Sequence, residues 1–140
     1  MDTMTPAARR LTLAMTTLLA TDAVGGVLAV TNDVNTWRTA WSGEALLAAP
    51  LPMIVAQLLC TVLAVRSGRR WAAVPAYLLA LACLVSVISG FFDGGLANDA
   101  LGGALVAFQV VLLTVTGAVG LAAVLRGREL HRRQVAPAAA

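Results

Sequence analysis

Arg66-Ser67-Gly68-Arg69-Arg70 sets three arginines on a short turn between two long apolar runs. That arrangement decides how the rest of the chain is read. Apolar residues make up 59% of the 140 positions and charged residues 12%, against roughly 25% charged in an ordinary soluble domain. A soluble chain of this length hides only about two thirds of its surface. The remaining apolar area therefore needs lipid or partner protein as its medium. All ten cationic residues are arginine and sit beside apolar runs. The net charge of +3 thus marks membrane topology, and no nucleic-acid partner is expected.

Working outward from the arginine turn, four apolar runs are each long enough to cross roughly 30 Å of hydrocarbon. They cover residues 11–31, 45–65, 71–92 and 101–125. The expected fold is all-α, a four-helix transmembrane bundle forming one domain over 1–125. A basic tail, 126–140, is expected to be partly disordered beyond its first turns. Glu129 and Arg133 stand four apart, which favours a last helix that continues past the membrane. The first run follows the basic pair Arg9 and Arg10. Its apolar character resumes after Asp22 and lasts to Val30, which suits a retained helix better than a cleaved leader.

Between the first two runs, residues 32–43 turn polar, with Asn32 and Asp33 as candidate caps. Val34, Trp37 and Trp41 follow at helical spacing and predict a short interfacial segment. Trp37 and Trp41 at one boundary and Trp71 at the other are expected as headgroup-level anchors. Pro50 and Pro52 fall early in the second run, and Pro75 early in the third, where a missing backbone donor does least damage. A kink or a late start is expected there. Asp93-Gly94-Gly95 reads as a turn, and Asn98 and Asp99 as caps of the fourth helix.

Nine arginines fall on one side of this layout and only Arg38 on the other. By the positive-inside rule, both termini are expected on the cytoplasmic side of the plasma membrane. Arg66, Arg69, Arg70, Arg126 and Arg128 are expected to meet anionic lipid headgroups, each contributing about 1 kcal/mol near the surface. The absence of lysine beside many arginines and alanines suggests a GC-rich bacterial genome.

Asp22 is the exception to the pattern, twelve residues into an apolar run of 21. An aspartate at that depth costs roughly 2.5–3.5 kcal/mol on insertion scales. Two roles fit it equally: an exchangeable proton, or a hydrogen-bonded carboxyl that holds helices together. At about 1.5 Å of rise per residue, Asp22 lies about 16 Å from the arginine-rich end. On the same scale Gln57 lies near 12 Å, and Thr114 and Thr116 near 16 and 14 Å. Gln57 is the expected direct partner, because an amide can both donate to and accept from a carboxyl. Gln109, Ser86 and Ser89 fall about 22–27 Å along and are expected at an entrance. Thr17, Thr21 and Gly25 recur every four residues on the first helix, as Thr116 and Gly120 do on the fourth. Small residues at that spacing predict close packing between these two helices, with Asp22 facing inward.

Four spans and one acid midway along the first resemble the layout of the small multidrug resistance transporters. That resemblance implies a carboxylate-based carrier, with Asp22 where the family carries glutamate. It implies antiparallel pairing only where loop charges balance, and nine arginines against one do not balance. A surface segment before the second helix and a basic turn after it are similar to DoxX-like membrane proteins. In those an acid is expected early in the second helix, where this chain has Gln57.

Cys60 and Cys83 stand alone in apolar runs at different depths, so no disulfide is expected. No nucleophile pair, phosphate loop or metal-ligand spacing stands out, and no cofactor is expected. The leading functional expectation is a non-enzymatic accessory or interaction subunit, with membrane lipids and a second copy or a membrane-protein partner as contacts. The alternative is a proton-linked small-molecule carrier or binder built on Asp22.

Overall fold

The computed structural model describes residues 4–45, 47–92, 96 and 102–133. Among these residues there are four α-helices and no strand. Helix α1 spans Pro6–Thr31, α2 Leu51–Arg66, α3 Ala73–Phe92 and α4 Gly103–Arg132, with a single 3₁₀ turn at Arg70–Ala72 before α3. The anticipated turn at Asp93-Gly94-Gly95, the caps Asn98 and Asp99, the start of the last span at Leu101 and the end of the tail lie outside the described residues.

Helix α1 starts earlier than its apolar run because Thr5 caps it. The Thr5 hydroxyl accepts from Ala8 N–H at 3.2 Å, and Pro6 occupies the first turn, where no donor is needed. It ends where Asp33 takes a left-handed conformation, φ 56°. Val34 N–H then reaches back to Ala29 C=O at 2.9 Å, which is the geometry of a left-handed C-terminal cap. Asn32 and Asp33 therefore terminate α1 instead of starting a surface helix. The segment that follows is a series of turns. Its Ala40 and Leu47 are buried to 1% and 0% exposure, so it folds in against the helices.

Helix α2 departs most from expectation. Pro50 is its N-cap and Pro52 lies in its first turn, so the helical part has 16 residues. At 1.5 Å per residue that is about 24 Å, short of the roughly 30 Å of hydrocarbon. Residues 45 and 47–50, apolar in sequence, are unwound. Leu51 N–H bonds Trp41 C=O at 2.9 Å and closes the 41–51 loop on itself. By length and apolar composition, three segments are able to cross a membrane: α1, Arg70–Phe92 and α4.

The helices pack in ring order, α1 beside α2, α2 beside α3, α3 beside α4 and α4 beside α1. Their shared core holds Leu11, Leu18, Leu79, Cys83, Val119 and Ala123. The α3–α4 contact is close because Gly120 lies against Cys83 and Gly127 lies under the Tyr77 ring. Leucines and valines at 13, 24, 55, 59, 81, 84, 85, 111 and 121 point outward and are more than half exposed. Outward apolar side chains on every helix are what a hydrocarbon solvent requires.

One end of the assembly is held by Arg126, which is 3% exposed. Its Nε donates to Ala64 C=O at 3.0 Å, and its terminal nitrogens donate to Thr5 Oγ1 at 3.0 Å, Glu129 Oε2 at 3.2 Å and Ser67 C=O at 3.4 Å. Thr5 Oγ1 donates in turn to Glu129 Oε2 at 2.9 Å. The start of α1, the end of α2 and the last turns of α4 are therefore joined at one end, and Leu130 packs there on Ala72 and Ala73. Arg126 was expected at lipid headgroups. Its side chain instead turns inward, because the last carbonyls of α2 have no helical partners and a guanidinium can serve several of them at once.

Candidate functional site

Asp22 lies on the inward face of α1 at 2% exposure. Its Oδ1 accepts from the backbone N–H of Ala49 at 3.0 Å. The donor comes from the unwound stretch before α2. Non-helical backbone at this depth survives only where protein surrounds it and its polar groups find partners, and Asp22 supplies one. Gly25 makes the approach possible: a Cβ there would collide with Leu47 C=O and the Phe108 ring. Gly26 likewise leaves room for the Trp41 indole.

Beside this contact lies a cavity of about 320 Å³ walled by all four helices and the unwound stretch. Helices α1 and α4 supply Leu18, Asp22, Gln109, Leu112, Leu113 and Thr116, while α2 supplies Met53 and Gln57. Helix α3 adds Val85, Ser86, Ser89 and Gly90. Three residues of this wall each carry a fully buried acceptor with no hydrogen-bond partner among the described residues: Asp22 Oδ2, Gln57 Oε1 and Gln109 Oε1. Their residues are 2%, 3% and 6% exposed, so solvent at the protein surface does not satisfy them. An unpaired buried acceptor costs about 1–3 kcal/mol, more when it is charged. The remaining wall is apolar apart from the hydroxyl residues Ser86, Ser89 and Thr116, and the one acidic group has no cationic side chain among the residues lining the cavity.

The anticipated site residues divide accordingly. Asp22, Gln57 and Thr116 meet at the cavity, but the bond to Asp22 comes from Ala49 N–H, where Gln57 had been expected. Thr116 bonds its own helix at Leu112 C=O, 2.8 Å away. Thr114 is exposed and bonds Val110 C=O at 2.8 Å, away from the cavity. Gln109, Ser86 and Ser89, expected at an entrance, share the chamber with Asp22. The bond from Ala49 joins positions 27 residues apart, and no local sequence signal marks it.

Of the expected packing positions, Gly25 meets Phe108 of α4, whereas Gly120 faces α3. Thr17 is exposed, away from α4, Thr21 is partly exposed, and both hydroxyls bond carbonyls of their own helix. Trp37 stacks on Trp41, with centroids 6.2 Å apart, and is 65% exposed; Trp71, at the opposite end, is 48% exposed. Arg66, Arg69, Arg70 and Arg128 are exposed. Cys60 and Cys83 are free thiols, Cys83 within the core. No group of three or more His, Cys, Asp or Glu side chains able to hold a metal occurs among the described residues. No protein-family model, curated protein or solved structure matches the chain.

Proposed function

We propose that this protein is a four-helix transmembrane bundle that binds a small molecule in an intramembrane cavity through Asp22. The carrying observation is that three residues lining one chamber, Asp22, Gln57 and Gln109, each carry a buried acceptor with no hydrogen-bond partner among the described residues. A ligand that fits them brings hydrogen-bond donors, preferably on a cationic head, and an apolar body. Sequence alone ranks an accessory subunit first. A chamber beside Asp22, lined also by Gln57 and Gln109, supports the alternative.

In this reading α2 makes the fourth crossing with help from the unwound residues 47–50 before it. Both termini face the cytoplasm of a bacterial cell, and the exposed arginines lie against anionic headgroups of the plasma membrane. The test uses the full chain in lipid nanodiscs with 4-fluorophenethylamine as probe, observed by ¹⁹F line broadening. Saturable broadening is expected with the wild type. Asp22→Asn, which keeps the shape but removes the charge, is expected to weaken it by about tenfold or more, as loss of a charge-assisted bond does. Equal broadening by the two proteins, with unchanged helicity, would falsify the proposal.

A further inference from the structure

The exposure of the cavity wall is uneven. Every lining residue from α1 and α4 is buried, Leu18 and Asp22 on one helix and Gln109 to Thr116 on the other. The partly exposed remainder of the wall is Ala45, Ala49 and Pro50 of the unwound stretch, the start of α2 and the second half of α3. Met53, Ser86, Ser89 and Gly90 are partly exposed there, and Val85 is 55% exposed. Across this gap the Ser86 hydroxyl donates to Met53 Sδ at 3.6 Å, a weak and easily parted contact. The flanking side chains Leu51, Val55, Ile88 and Phe92 are apolar and 58%, 52%, 49% and 82% exposed. The arginine-rich end is closed by the Arg126 contacts. On the α1–α4 side of the other end, Leu47 packs between Ala29 and Leu105.

We infer that the cavity is entered sideways from the bilayer, between the N-terminus of α2 and the C-terminal half of α3, and that its ligand is a membrane-dissolved amphiphile with an amine head. The inference deepens the small-molecule reading and rests on it. Shortening α2 is what makes the opening: Pro50 stops the helix, and the unwound backbone behind it turns inward to Asp22 at Ala49, leaving the α2 side of α3 without a helical neighbour at that height. An entrant travelling through hydrocarbon keeps its apolar chain in lipid while its head reaches the part of the chamber lined by Asp22, Gln57 and Gln109. The amine is the head that both donates hydrogen bonds and balances the Asp22 carboxylate.

The experiment is photo-crosslinking of the full chain in phosphatidylcholine nanodiscs, with peptide mapping of adducts. The probes are a decylamine carrying a diazirine midway along its chain and the matching decanoate. Adducts of the amine are expected to concentrate at Met53, Val85 and Ser89 over the outward positions Leu13 and Leu121. They should fall about tenfold with the decanoate and in Asp22→Asn. Adducts at the gap that ignore both head group and Asp22→Asn would leave the lateral route standing and remove the binding role of Asp22. Probe binding that depends on Asp22 with no enrichment at Met53, Val85 or Ser89 would overturn the lateral route alone. Uniform labelling of all outward faces would overturn it as well.

Discussion

At the scale of single residues, the informative positions are those where the packing allows one atom and no more. Asp22→Asn keeps an oxygen for the Ala49 N–H, so its stability is expected to stay within about 1 kcal/mol of the wild type. Asp22→Leu strands that donor inside the protein and is expected to cost about 1–3 kcal/mol. Unfolding in mixed micelles with increasing SDS reads both, and an equal loss in the two variants would contradict the bond. Gly25 and Gly117 make a second contrast. A methyl group on Gly25 meets the backbone of Leu47 and the edge of Phe108, whereas one on Gly117 meets nothing. Gly25→Ala is expected to destabilise by about 1–3 kcal/mol through overpacking. Gly117→Ala is expected to gain up to about 1 kcal/mol from helix propensity. Reversal of that order in the same titration would mean that the loop does not rest on Gly25.

At the scale of elements, α1, α3 and α4 were legible because a long apolar run beside arginines has one stable form in lipid, a helix with all its backbone bonds made internally. Ala45 to Pro50 is equally apolar, so hydropathy extended the second helix over it. What breaks the helix is Pro50 with Pro52, and what makes the break tolerable is a carboxyl oxygen on another helix. Depth arithmetic put Gln57 close to the level of Asp22, and the two line one cavity, but the bond expected of Gln57 is made by the Ala49 N–H. Thr17 misled because four-residue spacing marks a face without saying what the face meets; it is exposed and its hydroxyl is satisfied within α1. The unwound stretch carries its own prediction. Amide exchange at Ala49 is expected to be slow in the wild type and in Asp22→Asn, and faster by tenfold or more in Asp22→Leu, since a lost bond of about 1.4 kcal/mol opens the site by that factor. Unchanged protection in the leucine variant would mean that burial alone shields the loop.

For the molecule as a whole, the two ends differ in how they are held and in charge. Arg9, Arg10, Arg66, Arg69, Arg70, Arg128, Arg132 and Arg133 are exposed at the end that Arg126 holds together, and Arg38 is exposed on the loop after α1. Moving a guanidinium through hydrocarbon costs several kcal/mol. A chain with eight on one side is therefore expected to insert with that side retained, as the proposed orientation requires. Arg126 adds nothing to the surface count, yet the arrangement depends on it. Replacing it with Ala leaves the Ala64 carbonyl, Thr5 and Glu129 without their shared donor, and is expected to cost about 3 kcal/mol, the scale for breaking a buried ion pair. Orientation should survive that change while stability falls. Green fluorescent protein fused after Arg133 is expected to fluoresce in both wild type and Arg126→Ala, and alkaline phosphatase at the same position to stay inactive. Active phosphatase in the wild type would put the arginine-rich end outside and overturn the orientation. Phosphatase that becomes active only in Arg126→Ala would instead mean that the buried arginine, and not the exposed eight, holds that end back.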